Sequence, residues 1–402
     1  MVSAETALRT ILDSIKPVRT EKIHFAKASG RVLAIDVVAH EDVPAFDNSA
    51  MDGFAVRAND LSKSSAKNPT DMPVIGESSA GHPWAGELPP GAAVRVMTGA
   101  VIPLGADTVI PIEEVQSSNS TNIRVVDAPR LHKHIRKRGE EMSAGSHIFS
   151  RGTVIGPSQL GVLASLGCTN IGVFERPTVT IVPTGDELVD PGDQPAPGQV
   201  RNSSSFVLAA FATADGCETS THEIVSDQKT KIAKAISNSL SSDVILVTGG
   251  VSVGKYDHVP KVLEELGAEI LFSKVNIKPG KPLLFARLHS TLIFGLPGNP
   301  VSTTVSYIQF VRPALHRLTG REFKPPLRIS ARLEHELVKR DNRRHFLRAI
   351  LEEQNEELFV RTTGPQGSGM LSSVAKANCF IVIPEKEATF KRGDVVEVEL
   401  IQ

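Results

Sequence analysis

Between residues 174 and 320, short apolar runs alternate with stretches of helical periodicity. The runs TVTIV, DVILV and TLIFGL each end in a turn with Gly or Pro, and HEIV is followed by SD. After Asp257, apolar residues recur at i, i+3, i+4 and i+7, which is typical of a helix (Val259, Val262, Leu263 and Leu266). Strands that alternate with helices predict a parallel α/β sheet with right-handed crossovers.

The pattern differs on either side of this segment. Residues 1–40 predict a helix and then strands, and residues 41–139 carry short β-type runs such as AVRVM and TVIPI, broken by Gly and Pro. A helical period returns in GPSQLGVLASLG. From residue 321, apolar and polar residues alternate in LRISARLEHEL, ELFVRTT, CFIVIP and VVEVELI, which predicts a small antiparallel barrel or sandwich.

Composition narrows the class of protein. A chain of 402 residues exceeds the usual size of one core, so we expect two to four domains. Lys plus Arg total 44 against 45 for Asp plus Glu, a balance that argues against nucleic acid as a partner. The three cysteines are far apart, no apolar run could span a bilayer, and the N-terminus has no signal-peptide core. A soluble, cytoplasmic protein is predicted.

The turns that follow the strands are the first candidate site. The carboxyl ends of parallel strands meet along one edge of a sheet, and ligands bind in the crevice there. We therefore expect residues 184–187, Asp227, residues 249–257 and residues 297–300 to come together. They include hard oxygen ligands that suit Mg²⁺ (Asp186, Glu187, Asp227 and Asp257) and glycines whose N–H groups can approach an anion (Gly249, Gly250 and Gly254).

Each of these residues also has a structural interpretation. Asp227 and Asp257 could simply cap helices, and Asn299 before Pro300 is typical of an N-cap with proline at the first helical position. Glu187 could be a solvated turn residue. The stretch TGGVSVGKYDHV resembles a phosphate-binding P-loop, but Tyr256 stands where that motif has a small hydroxyl residue. The joint position of the turns favours a phosphorylated substrate with Mg²⁺.

A second candidate site is basic. Lys274, Lys278 and Lys281 surround a Pro-Gly turn in KVNIKPGKP, and they form either a solvated surface or, if the turn faces the crevice, an oxyanion site. Arg348 in RRHFLRAI and Ser368 in GPQGSGMLSS could add a guanidinium and a hydroxyl donor.

Two further segments are less informative. The run LHKHIRKRGEE is interpreted as a solvated β-edge, and His132 and His134 alternate on it without a third metal ligand. An Asp-Gly hairpin accounts for Asp52, and a local turn accounts for Thr98.

Seven motifs together carry a family resemblance. NSAMDGFAV, RVMTGAVIP with GADTVI, RGEE, PTGDEL, TGGVSVGKYD, KVNIKPGKP and GLPGNPVS follow the order and approximate spacing of the MoeA family of molybdopterin molybdenumtransferases. The resemblance covers nearly the whole chain and extends to a domain of gephyrin and its plant counterparts. It implies four domains: a two-segment extended domain (1–40 plus 140–173), a β-rich domain (41–139), an α/β molybdopterin-binding domain (174–320) and a C-terminal β-barrel (321–402).

The resemblance also implies an activity. Members insert molybdenum from molybdate into adenylylated molybdopterin with Mg²⁺ and release AMP, and they are homodimers in which the second domain of one subunit lies near the crevice of the other. Molybdopterin adenylyltransferase is a further candidate partner. A membrane or nucleic-acid partner is not implied.

The resemblance assigns roles residue by residue. The catalytic positions are Asp52, Thr98, Glu187, Asp227, Asp257, Lys274 and Lys278. Asp227 and Asp257, with Glu187, are predicted to hold Mg²⁺, and Lys278, Lys281, Arg348 and Ser368 are predicted to hold molybdate. The remaining substrate-binding positions are Thr184, Gly249, Gly250, Ser252, Gly254, Pro297, Gly298, Asn299 and Pro300.

One motif departs from the family. Glu141 stands where R-G-E-D usually ends in Asp, which lengthens the carboxylate side chain by one methylene.

Two other functions stay open: molybdopterin adenylyltransferase, which resembles the α/β unit alone, and a non-catalytic scaffold like gephyrin.

Overall fold

The computed structural model describes residues 1–118, 121–251, 257–386 and 388–401. Its central element is a six-stranded sheet in the order Glu218–Thr221, Thr178–Pro183, Val244–Thr248, Thr291–Leu296, Leu284–Leu288 and Glu269–Phe272. The first four strands are parallel, and the last two are antiparallel to their neighbours. The predicted parallel sheet is confirmed, with an antiparallel edge.

One predicted strand is misplaced. The strand expected at HEIV is Glu218–Thr221, and Val225 makes only an isolated parallel bridge with Thr184. The observed strand pairs on one side only and carries the polar sequence ETST, so its hydrophobic pattern is weak.

Helices cover both faces of this sheet: Ser204–Ala214, Lys229–Asn238, Val259–Glu265, Pro300–Ser306 and Arg312–Leu318, with a π-helical turn at Tyr307–Val311. The central strand alternates between two cores. Val244 and Leu246 pack in one hydrophobic cluster, and Ile245 and Val247 pack in the other. A strand buried on both sides accounts for the continuous apolar run VILV.

Two separated segments form the extended first domain. Thr20–His24 pairs with Asn170–Phe174, and Val37–Val38 pairs with His147–Phe149. The helix Pro157–Ser165 packs against them through Leu163. A short 3₁₀ turn lies at Phe25–Lys27.

The first helix, Ala4–Asp13, does not pack in this first domain. Its buried residues Ala4, Ala7 and Ile11 belong to the same cluster as Val305 and Leu315 of the α/β domain. The assignment of the whole range 1–40 to the first domain therefore does not describe this helix.

The β-rich domain is a six-stranded sheet in the order Thr108–Pro111, Gly53–Val56, Ala93–Val96, Thr70–Ser78, Asn122–Val125 and Val115–Ser118, with 3₁₀ turns at Ala58–Leu61 and Ile112–Glu114. Of the basic run, only Ile135–Arg136 is a strand, and it pairs with Asn48–Ser49. The alternation predicted for His132 and His134 is wrong, because both have positive φ in a turn. Acidic partners neutralise three of the basic side chains (Lys133 with Glu114, Lys137 with Asp47, and Arg138 with Asp42).

The C-terminal domain is a closed barrel of five strands: Arg344–Gln354, Glu357–Thr362, Arg328–Leu333, Val395–Leu400 and Cys379–Ile383. One pairing is parallel, between Arg332 and Phe359, and the other four are antiparallel. The helix Leu371–Lys376 and the paired strands Leu337–Lys339 and Ala388–Phe390 complete the domain. A short strand of the preceding domain, Ile277–Lys278, adds to the barrel beside Arg344 and His345.

Two short strands, Leu188–Val189 and Val200–Arg201, form a parallel pair outside the main sheet. Within the described residues, no helix is long and apolar enough to cross a membrane.

Candidate functional site

The turns at the carboxyl edge of the sheet meet as predicted. Thr184 Oγ1 donates to the carbonyl oxygen of Thr248 at 3.0 Å, and Gly249 N donates to Leu296 O at 3.1 Å. Gly185 N donates to Val225 O at 3.1 Å. Three of the predicted turns are therefore joined through backbone hydrogen bonds, and the turn with Asp227 follows directly after Val225.

Gly249 is required by this close approach. Its φ is +86°, and a Cβ at this position would lie 2.4 Å from the carbonyl oxygen of Thr184. A Cβ on Gly298 would lie 3.7 Å from the Cα of Gly249, so the turn at 297–299 borders the same backbone. A side chain at residue 249 would separate the turns, which explains glycine here.

The carboxylates form a cluster in this crevice. Asp186 and Asp227 are joined by two reciprocal bonds, since each backbone N–H donates to the other's carboxylate, at 3.3 Å and 3.1 Å. Burial raises the pKa of Asp227, and the charges of Glu187 and Asp186 raise it further, although the hydrogen bond from Asp186 N opposes this. A raised carboxylate pKa means that negative charge in this crevice is incompletely compensated, which favours a cation.

Helix capping does not explain Asp227 or Asp257. The helix Lys229–Asn238 has Gln228 at its N-cap, and the helix Val259–Glu265 has His258 there. The capping interpretation is therefore wrong for both aspartates. Asn299 does occupy the N-cap of Pro300–Ser306, with Pro300 at the first helical position, but its side chain makes no capping hydrogen bond.

The predicted Mg²⁺ ligands are not arranged as a ready metal site. Within the described ranges, no three His, Cys, Asp or Glu side chains are grouped as they would be around a metal ion. The carboxylates Glu187 and Asp227 still fit a shared cation, because Mg²⁺ usually takes only one or two protein carboxylates and completes its shell with water and substrate phosphates. Ser252, Gly254 and Tyr256 lie outside the described residues.

A second site lies where the α/β domain meets the barrel. A cavity of about 550 Å³ brings together Lys278, Lys281, Arg348 and Ser368. Three more basic side chains line it: Lys339, Arg343 and His345. This concentration of positive charge in a recess between two domains favours the binding of an anion.

The short strand Ile277–Lys278 carries Lys278 into this cavity. Its pairing with Arg344 and His345 fixes the backbone, and the Lys278 ammonium donates to Asp341 Oδ2 at 3.3 Å. Gly280 ends the turn with φ +104°, and a Cβ there would lie 2.8 Å from Ser306 Oγ. The Pro-Gly turn therefore packs closely on the helix Pro300–Ser306.

Arg348 holds the loop that carries Ser368. Only 1% of Arg348 is exposed, and its guanidinium donates to Ser373 Oγ and to Gly367 O, both at 3.0 Å. Burial lowers the pKa of Arg348. The carbonyl oxygen of Ser368 accepts from Val301 N at 3.3 Å, so the barrel loop contacts the first turn of Pro300–Ser306. The cavity and the crevice thus lie against the same short helix.

Other predicted residues lie elsewhere. Lys274 is absent from the lining of the described cavity, and its carbonyl oxygen accepts from Val2 N. Asp52 and Thr98 contact each other: Thr98 N and Oγ1 donate to Asp52 Oδ1 at 2.7 Å and 2.8 Å. These bonds lower the pKa of Asp52. Glu141 is exposed, and its backbone N donates to Val43 O.

Sequence reasoning missed three residues of the cavity lining, Lys339, Arg343 and His345, and the carboxylate that contacts them, Asp341. These residues belong to KRDNRRHFLR, a basic stretch next to Arg348 that the charge pattern alone could have indicated. Their contact with Lys278 depends on a pairing between distant segments, which the pattern does not contain.

Comparison with known proteins agrees with this architecture. Family models described as the MoeA N-terminal region (domain I and II), a probable molybdopterin binding domain and the MoeA C-terminal region (domain IV) match residues 2–167, 180–317 and 330–401. A molybdopterin molybdenumtransferase of Haemophilus influenzae is 35% identical over 99% of this chain and 98% of its own length. The chain belongs to the MoeA family.

Further relatives agree. The molybdopterin molybdenumtransferase of Bacillus subtilis is 34% identical over 100% of this chain and 94% of its own length. Among solved structures, a molybdopterin biosynthesis MoeA protein from Pyrococcus horikoshii OT3 superposes with a TM-score of 0.86 at 29% identity, over 100% of both chains. The curated relatives are named as transferases, and the sequence of this MoeA-family chain matches theirs along nearly its full length.

Proposed function

We propose that this chain inserts molybdenum from molybdate into adenylylated molybdopterin and releases AMP. The observation that carries the proposal is the basic cavity at the domain junction, which lies against the same helix as the carboxylate crevice. A substrate with phosphates at one end and a dithiolene at the other needs a cation near the first and an oxyanion site near the second. The two sites supply both.

The residues of the two sites have different proposed roles. Lys278, Lys281 and Ser368 would hold molybdate by charge and by a hydroxyl donor, while Arg348 fixes the loop that carries Ser368. Thr184, Gly249, Gly250 and the turn at 297–300 would line the phosphates. Asp227 and Glu187 would hold Mg²⁺, whose charge offsets that of the phosphates when it is bound.

The proposed chemistry is positioning and charge neutralisation. A water oxygen attacks the phosphorus on the molybdopterin side of the phosphoanhydride, the P–O bond to AMP breaks, and AMP departs with the bonding electrons. The two dithiolene sulfurs replace two oxygens of molybdate, which leave as hydroxide with the two thiol protons, and molybdenum keeps its oxidation state. Aligned amide N–H groups and lysines favour the added negative charge.

The proposal extends to assembly and location. The exposed pair Asp52 and Thr98 would act on the crevice of a second subunit in a homodimer, as the family resemblance implies. A cytoplasmic location is consistent with three free cysteines, of which Cys217 and Cys379 are buried.

The test uses purified chain, adenylylated molybdopterin and Mg²⁺, with molybdate, tungstate or no oxyanion. We expect AMP release that depends on the oxyanion, measured by chromatography. AMP release that ignores the oxyanion would contradict metal insertion. Adenylylation of molybdopterin from ATP would instead support the adenylyltransferase, and failure of both reactions would favour a scaffold.

A further inference from the structure

Asp341 is a carboxylate that contacts three basic side chains of the cavity, Lys278, Arg343 and His345. Its Oδ2 accepts from Lys278 Nζ at 3.3 Å and from Arg343 Nη2 at 2.9 Å. Its Oδ1 accepts from His345 Nε2 at 2.9 Å and from Arg343 N at 3.0 Å. One side chain therefore connects a lysine of the α/β domain with a histidine of the barrel.

These contacts define the tautomer of His345. Burial alone would raise the pKa of Asp341, but hydrogen bonds from Arg343 and His345 lower it well below its ordinary value. An ionised carboxylate only accepts hydrogen bonds, so Nε2 of His345 carries a proton. Neutral His345 then has a bare Nδ1, and protonation there adds one positive charge to the cavity lining.

The charges around His345 oppose that protonation. Its side chain is 8% exposed. Burial lowers the pKa of His345, and Lys278 and Lys339 lower it further, while Asp341 raises it. The charged groups that face or share its recess are Lys278, Lys281, Lys339, Asp341, Arg343 and Arg348. A bound dianion would offset the repulsion from these cations and so favour the imidazolium.

We propose that Asp341 is a positioning residue of the basic cavity, and that oxyanion binding there is coupled to protonation of His345. This inference rests on the proposed function, because it takes molybdate as the oxyanion. Asp341 sets the place of the Lys278 ammonium and orients the imidazole, and His345 supplies a charge that exists only when the anion is present.

The experiment measures molybdate binding to the full chain by calorimetry, from about pH 6 to about pH 8, in buffers that differ in ionisation enthalpy. We expect the wild type to take up a proton when it binds molybdate. Its affinity for molybdate should therefore fall as pH rises, by up to about tenfold per pH unit in this window. His345→Gln should abolish both the uptake and this pH dependence. The exposed His82 provides the control, and His82→Gln should behave as the wild type.

Asp341→Asn tests the positioning role. We expect molybdate affinity to fall about tenfold, and the remaining pH dependence to move to lower pH, because the carboxylate raises the pKa of His345. Arg343 loses the same partner, so far-ultraviolet circular dichroism must first establish that the variant folds. If it does not fold, the Lys278→Met variant replaces it, and its affinity loss should come with an upward move of the His345 titration.

The outcomes separate the two proposals. A wild type that binds no molybdate would contradict the proposed function itself. A wild type that binds molybdate without proton uptake, or a His345→Gln variant that keeps the uptake, would overturn the coupling alone. Wild-type affinity in folded Asp341→Asn would overturn the positioning role.

Discussion

The crevice and the basic cavity both lie against one short helix, Pro300–Ser306, yet they are built in opposite ways. The crevice consists of turns from a single domain, with exposed Asp186 and Glu187 beside a half-buried Asp227. The cavity needs two domains, and its central basic groups, Arg348 and His345, are buried. Local topology is enough to assemble a carboxylate cluster, whereas a recess rich in positive charge requires precise packing between domains.

The largest expected effect comes from the cavity. Lys278→Ala removes an ammonium that the short strand places next to Asp341, and we expect kcat/KM for AMP release to fall by about 100- to 1,000-fold. The KM for molybdate should rise in the same assay. Lys63→Ala, an exposed lysine of the β-rich domain, is the control. Full activity in the Lys278 variant would remove the cavity from the mechanism.

A substitution in the crevice should instead change the apparent affinity of the enzyme for Mg²⁺. Asp227→Asn is expected to weaken the apparent affinity for Mg²⁺ by about 10- to 100-fold, as measured from AMP release across a Mg²⁺ titration. Asp193→Asn, in an exposed turn of the same domain, should leave it unchanged. An unaltered Mg²⁺ titration in the Asp227 variant would show that the crevice does not hold the metal.

The Asp227→Asn variant should also be slightly more stable than the wild type. Because the folded-state pKa of Asp227 is raised, the stability of the wild type falls as pH rises from the ordinary pKa through the raised one. Removing the carboxylate should raise the free energy of unfolding by a few tenths of a kcal/mol, a small value because the side chain is partly exposed. Urea unfolding at neutral and acidic pH measures the difference.

A third change tests the contact between the Pro-Gly turn and the helix Pro300–Ser306. Gly280→Ala would place a Cβ 2.8 Å from Ser306 Oγ and 2.9 Å from Ile277 Cδ1, at a φ of +104°. We expect a loss of about 1–3 kcal/mol in the free energy of unfolding. Gly192→Ala is the matched control, because a Cβ there meets no atom within 4 Å. Equal stability of the two variants would mean that the turn is free to move.

The smallest effect on turnover is expected at the Asp52–Thr98 pair. Thr98→Val removes one of two bonds to Asp52, so the pKa of Asp52 should move up toward its ordinary value in an NMR titration. In the wild type, the hydrogen-bonded Asp52 carboxylate stabilises the fold above the ordinary pKa of aspartate. This stabilisation is lost as pH falls through the lowered pKa of Asp52. Turnover should fall a few-fold, since one hydrogen bond to an exposed carboxylate is lost. An unmoved Asp52 titration would contradict the assignment of the bond.

The crevice could be predicted because its determinants are local. Runs such as TLIFGL identify buried strands, Gly and Pro mark the turns, and parallel topology places those turns together. The polar edge strand Glu218–Thr221 was misplaced for the same reason, since it lacks the apolar run on which that inference depends.

The cavity could be predicted only in part. The lysines of KVNIKPGKP were recognised, but their alignment with His345 depends on the pairing of Ile277–Lys278 with a distant strand. Likewise, nothing local in RRHFLRAI indicates that Arg348 is buried against Ser373 and Gly367. The first helix was assigned to the wrong domain for a similar reason. An amphipathic period predicts that one face of a helix is buried, but it does not identify the domain that covers that face.

The short strand Ile277–Lys278 makes the last two domains poor units for recombination. A chimera that joined this α/β domain to the barrel of a relative would inherit Lys278 from one parent and the residues around His345 from the other. Both parents could be fully active while their hybrid folded and turned over poorly. Productive exchange would have to move the segment 274–282 together with the barrel, although residues 283–327 of the α/β domain lie between them in the sequence.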